Sequence, residues 1–136
     1  MLNYSNLNDL EFEALCKDVM SRKLGRKLQR FGPGRDGGVD LTDDTYRRTT
    51  IVQVKHYIKS GFPALLTALK AEVPKVKENS PMEYYVCCST KLTPDNKRDI
   101  YLLFSDYMAS TANIISLIEI DDFLQEAENA DILRKH

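Results

Sequence analysis

Three features of this 136-residue chain predict an α/β fold, a mixed β-sheet flanked by helices in the order α-β-β-β-α-β-α-β-α. One amphipathic helix opens the chain. Three strand-like runs then crowd between residues 27 and 57, and two segments of helical period, 62–77 and 93–108, separate the remaining apolar runs. Crowded strands pair through a hairpin, whereas strands separated by a helix are joined by crossovers, and the two together make a mixed sheet.

The first helix has a complete start signal in Asn8-Asp9-Leu10-Glu11. Asn8 can cap, Glu11 at the third helical position can reach back, and Leu7 and Phe12 have the spacing of a hydrophobic staple. Phe12, Leu15, Cys16, Val19 and Met20 then recur at i, i+3, i+4, i+7 and i+8, and Gly25 ends the helix. Glu11 and Glu13 lie at opposite edges of that stripe, where a carboxylate can lean into a cleft. Glu11 already has a capping task, so Glu13 is the candidate.

Residues 27–31 alternate and form a first strand, followed by a loop relaxed by Gly32, Gly34, Gly37 and Gly38. Residues 39–43 and 50–57 read as a hairpin with a polar turn at 44–48. Alternation puts Ile51, Gln53, Lys55 and Tyr57 on one face, and Val52, Val54 and His56 on the other. A hairpin centred on Tyr46 and Arg47 stands Asp40 across from Gln53, so that Asp40, Gln53 and Lys55 converge while His56 points away. A slip of one residue would send Asp40 to the wrong face.

Leu65, Leu66, Leu69, Val73 and Val76 have helical spacing in 62–77, with Pro74 expected to kink or break the last turn. The run 82–89 reads as a strand buried on both faces. Thr93 caps a further helix with Pro94 at its first position and a stripe of Ile100, Leu103, Phe104, Tyr107 and Met108. A last strand is expected over 113–119. Asp121 is expected to cap a short closing helix through Phe123, Leu124 and Ala127. No internal repeat is evident.

The composition, 43% hydrophobic and 29% charged, is that of one folded globular domain. No apolar run suits a membrane and no signal pattern opens the chain, which makes cytoplasm the expected location. Cys16, Cys87 and Cys88 are odd in number and never at C-x-x-C spacing, which excludes a disulfide framework and a zinc ribbon and leaves buried thiols. Net charge is −1, but Arg22, Lys23, Arg26, Lys27, Arg30 and Arg35 follow one another with no acid among them. Such a stripe can hold phosphates, and it serves equally as a solvated helix end and strand. The glycine-rich loop lacks G-x-x-x-x-G-K-[ST], which argues against nucleotide hydrolysis of the P-loop kind. Asp36 within it reads as a turn former.

Phe12-Glu13-Ala14-Leu15, Gly34-Arg35-Asp36-Gly37-Gly38-Val39-Asp40 and Gln53-Val54-Lys55 resemble, in order and spacing, the motifs of the PD-(D/E)XK nuclease superfamily, and more narrowly its Mrr-like restriction endonuclease branch. The resemblance covers nearly the whole chain and implies a restriction-endonuclease-like αβββαβ core. It also implies a magnesium-dependent endonuclease acting on double-stranded DNA, with Mn²⁺ able to substitute. Asp40 would be the central Mg²⁺ ligand, Glu13 a second carboxylate bound directly or through water, and the Gln53 oxygen a neutral ligand. Lys55 would orient the attacking water or stabilise the transition state. Gln53 stands where the wider superfamily has Asp or Glu, which leaves the number of metal ions open.

Arg26, Lys27, Arg30 and Arg35 are the expected DNA contacts. Nothing after the core resembles a reader of base sequence, so little sequence specificity is expected. In the resembling branch such domains are often fused to sensor modules, including antiviral STAND ATPases. That implies residues 1–136 as the N-terminal effector of a longer defence protein, forming homodimers or higher oligomers through its fused domains. A catalytically idle module for DNA binding or assembly, and a nuclease acting on RNA or branched DNA, are the competing readings.

Overall fold

The computed structural model describes residues 2–30, 40–44, 47 and 49–136. Its sheet has five strands in sequential order: β1 (Gln29–Arg30), β2 (Leu41–Thr42), β3 (Thr50–Lys55), β4 (Glu83–Cys88) and β5 (Ile114–Ile115). β1, β2 and β3 pair antiparallel, and β3, β4 and β5 pair in parallel. The helices are α1 (Asp9–Leu24), α2 (Gly61–Asn79), α3 (Pro94–Phe104), α4 (Leu117–Gln125) and α5 (Ala130–Lys135). This is the mixed sheet expected, with one helix more at the end.

Alternation along the strands divides the core into two layers. Val52, Cys87 and Ile115 pack with Phe12, Leu15 and Val19 of α1, Ile120 and Leu124 of α4, and Ile132 of α5. Ile51, Tyr84, Val86 and Ile114 pack with Leu65, Leu69 and Val76 of α2 and with Ile100 and Phe104 of α3. All three cysteines are free and buried. No helix among the described residues is long and apolar enough to cross a membrane.

Local signals explain most boundaries. Asn8 Oδ1 accepts from the Glu11 amide at 2.8 Å, Glu11 Oε1 accepts from the Asn8 amide at 2.9 Å, and Gly25 closes α1 at φ 67°. Thr93 and Asn96 cap α3 in the same reciprocal way, with Pro94 following the cap.

Three expectations need correction. The strand expected over 113–119 stops at Ile115, because the Ser116 amide and hydroxyl both reach Glu119 Oε1, at 3.0 and 2.7 Å, and start α4 there. Asp121 therefore lies inside α4, where it accepts the Tyr4 hydroxyl at 3.0 Å, and caps nothing. Pro74 does not break α2, which continues to Asn79. Pro74 and Lys70 are both exposed, so the Lys70 carbonyl that the proline nitrogen cannot serve lies on the solvent side of α2.

Candidate active site

The pairing of Leu41 with Val52 and of Thr42 with Ile51 is the register that alternation predicts. One step further along, Asp40 Oδ2 accepts from Gln53 Nε2 at 2.7 Å and from the Val54 amide at 2.8 Å. The hairpin residue Tyr46 and the glycine-rich loop with Arg35 and Asp36 lie outside the described residues.

A cleft of about 290 Å³ opens at the carboxyl end of β3 and is lined by Asp9, Glu13, Asp40, Val54, Lys55, His56 and Tyr57. The structure thus brings Glu13, Asp40 and Lys55 to one cavity. Glu13 reaches it from the first turns of α1, with its Oε1 3.4 Å from Arg30 Nε on β1. Lys55 sits on the last residue of β3 and directs Nζ to Glu72 Oε2 at 2.6 Å.

Gln53 stands behind this group. It is 2% exposed, and its Oε1 accepts from the Tyr84 hydroxyl at 3.4 Å while its amide nitrogen serves Asp40. The amide oxygen expected as a metal ligand therefore faces β4 rather than the cleft. Burial, with the nearby Glu72 and Asp40 carboxylates adding to it, pushes the Tyr84 phenol well above its ordinary range, which keeps it a neutral donor.

His56, expected to point away, lines the cleft instead. Its ring keeps the face that alternation assigns to Val52 and Val54, against Phe12 of α1, and the cleft extends to that face, where Glu13 enters from the same helix. The His56 ring stacks on Phe12 at 4.6 Å, its Nε2 donates to the Leu7 carbonyl at 2.7 Å, and its Nδ1 faces Ser89 Oγ at 2.9 Å. Both ring nitrogens are engaged, so His56 builds the wall of the cavity.

Of the basic residues, Arg30 alone among the described ones is tied to a cleft-lining group by an ion pair, through Glu13. Arg26 lies near the opposite end of β3, where it donates to Thr50 Oγ1 at 2.8 Å and to Glu83 Oε1 at 3.0 Å. At about 3.3 Å per strand residue, that end is roughly 17 Å from Lys55. Arg22 holds Asp131 in a two-bond fork at 2.6 and 2.8 Å. Lys27 is exposed and borders a separate cavity between α1 and α5. The described members of the stripe therefore spread over the chain instead of converging on the cleft.

Glu72 escapes sequence reasoning, although a signal is present. Leu65, Leu69, Glu72 and Val76 are the buried positions of α2, so a carboxylate occupies the core stripe itself. A charge at such a position needs a partner.

The donor chemistry of the cleft suits a hard cation. Glu13 and Asp40 offer carboxylate oxygens, and the cavity has no thiolate on its lining. Among the described residues no three His, Cys, Asp or Glu side chains group closely enough to hold a metal between them. Magnesium fits such a poor donor set, because it keeps several waters and uses one or two carboxylates.

Comparison with known proteins gives the family. A family model described as restriction endonuclease matches residues 4–125. The chain is also similar to y4cD of Sinorhizobium fredii, described as an uncharacterized protein, with 27% identity over 123 residues. The matched region is 90% of this chain and 19% of that relative, so the chain spans about a fifth of the relative's length. No solved structure is matched.

Proposed function

Because the chain belongs to the restriction endonuclease family, a branch of the PD-(D/E)XK superfamily, we propose that it is a metal-dependent endonuclease that hydrolyses phosphodiesters of double-stranded DNA with little sequence preference. The observation that carries this reading is the meeting of Glu13, Asp40 and Lys55 on one cleft.

Asp40 and Glu13 are the residues that would hold Mg²⁺, or Mn²⁺ in its place. Such a cation, when bound, supplies charge neutralisation at the phosphate and activation of water. Asp40 is oriented for the task by its bonds from Gln53 and from the Val54 amide, which fix its Oδ2 against β3. Gln53 thus acts on Asp40 from behind. Lys55 lines the cavity, and its ammonium, held by Glu72, would stabilise negative charge growing on the phosphate oxygens. The buried Phe12 ring of α1 and the half-buried His56 ring stacked on it limit the water that reaches this end of the sheet. Arg30, paired with the cleft-lining Glu13, and the exposed Lys27 are the proposed contacts to the DNA backbone, with Arg26 and Arg35 as further candidates from the sequence.

We read residues 1–136 as the nuclease effector of a longer cytoplasmic defence protein, activated when fused sensor domains oligomerise. The length of the y4cD relative, of which this chain spans 19%, supports that reading.

Nicking of supercoiled plasmid tests the proposal. Relaxed and linear products should appear with Mg²⁺ or Mn²⁺, vanish with chelator, and fall at least ~100-fold in Asp40→Ala and Lys55→Ala. Gel shifts without cleavage, persisting after forced oligomerisation, would leave a DNA-binding module. Preferential cleavage of RNA or branched DNA in a substrate panel would replace the duplex.

A further inference from the structure

We propose that Glu72 is the positioning residue for Lys55, fixing the ammonium at the floor of the cleft. The inference rests on the nuclease reading for its catalytic consequence and on geometry for the contact itself. Glu72 occupies the buried stripe of α2 with its side chain 8% exposed, and its Oε2 lies 2.6 Å from Lys55 Nζ, itself on a side chain 17% exposed. Its Oε1 has no hydrogen-bond donor among the described residues and is 3.5 Å from the exposed Lys75 ammonium. The other buried members of that stripe, Leu65, Leu69 and Val76, are apolar. An apolar side chain at 72 would pack there without the desolvation that a carboxylate suffers. What the carboxylate adds is a fixed acceptor for Nζ.

Lysine has a long stem and an ammonium with three donors. One of these donors goes to Glu72, leaving two for the cavity that Lys55 lines together with Glu13 and Asp40. A tether of this kind selects one arrangement of a side chain with four rotatable bonds, which is how positioning lowers a barrier without strengthening substrate binding. Glu72 is not on the cleft lining, so it acts through Lys55 and not on the substrate.

The test uses Glu72→Gln, which keeps the shape and removes the charge, with Glu72→Leu as a packing control. Plasmid nicking by both variants should show kcat lowered about 10- to 100-fold, with KM and DNA affinity in Ca²⁺ within two-fold of the parent. The independent readout is the ¹H–¹⁵N signal of the Lys55 ammonium, identified by its absence in Lys55→Arg. It should be visible in the parent at neutral pH and lost in Glu72→Gln and Glu72→Leu. An unchanged kcat in folded Glu72 variants, when Lys55→Ala is inactive, would overturn the proposal, as would an ammonium signal indifferent to Glu72. If the parent cleaves nothing but the signal still depends on Glu72, the nuclease reading falls and the hold on Lys55 stands.

Discussion

Asp40 and Gln53 face each other across β2 and β3 and share a 2.7 Å hydrogen bond, and the same Asp40 oxygen takes the Val54 amide at 2.8 Å. One carboxylate oxygen thus ties the start of β2 to two consecutive residues of β3. Gln53→Glu would replace the amide donor with a second carboxylate in a nearly fully buried place. It should cost roughly 1–3 kcal/mol in metal-free buffer, where like charges face each other and a donor is lost. Urea melts with and without Mg²⁺ check this, and the deficit should shrink when the cation is present.

Lys55 and Glu72 form the most sheltered ion pair among the described residues. Lys55→Met strands a buried carboxylate whose remaining cation, Lys75, is 3.5 Å away and mostly exposed. The expected loss is about 3 kcal/mol, at the low end for a broken buried pair. Adding Glu72→Met should recover most of it, since two apolar side chains then meet. A double-mutant cycle by urea denaturation gives the coupling.

Acid should loosen the end of the sheet remote from the cleft. The Tyr85 hydroxyl, and behind it the Arg26 guanidinium and Thr50, hold Glu83 below its ordinary value against the upward push of burial. A depressed carboxylate contributes stability above its unfolded pKa and loses it as pH falls through the folded one. The urea midpoint should therefore drop between about pH 5 and pH 3, less steeply in Glu83→Gln. Asp131, held at about 2 by the Arg22 guanidinium, adds a later fall that salt should weaken, since that pair is exposed.

Pro74→Ala should stabilise the protein. The helix already runs through this exposed position, so alanine restores an amide for the Lys70 carbonyl without disturbing the core. A gain of about 1–3 kcal/mol is expected, read from the urea midpoint at unchanged slope.

The part of the site on β2 and β3 is legible in the chain because two signals agree there. Strand alternation puts Gln53 and Lys55 on one face, and a hairpin centred on Tyr46 and Arg47 puts Asp40 across from Gln53, a register that the pairing of Leu41 with Val52 matches. Glu13 follows from the capping logic of Asn8 and Glu11. Glu72 is harder to read, since Leu66 and Val73 complete an apolar stripe on paper although both are only half-buried. The start of α4 hides for a different reason. Ser116 and Glu119 have the spacing of a helix start, but they are lodged in a run of isoleucines that reads as strand. His56 keeps the face that alternation gives it, with Val52 and Val54 toward α1, and what no local pattern signals is that the cleft extends to that face. The turn of Gln53, oxygen toward Tyr84, depends on a partner 31 residues away that no local pattern announces.

β3 joins the two halves of the sheet, with six paired positions toward β4 and two toward β2 among the described residues. The amides that β3 and β4 exchange should therefore trade hydrogen for deuterium only on global unfolding, and those shared with β2 by smaller openings. Lys55 belongs to the slow tier and is braced further by its carbonyl, which accepts from the Ser89 amide at 3.2 Å. Asp40 sits on the fast tier, anchored to the slow one through its bonds to Gln53 and Val54. The two sides of the candidate site thus breathe at different rates, and metal binding should slow exchange most at Val54, whose amide is the link between them.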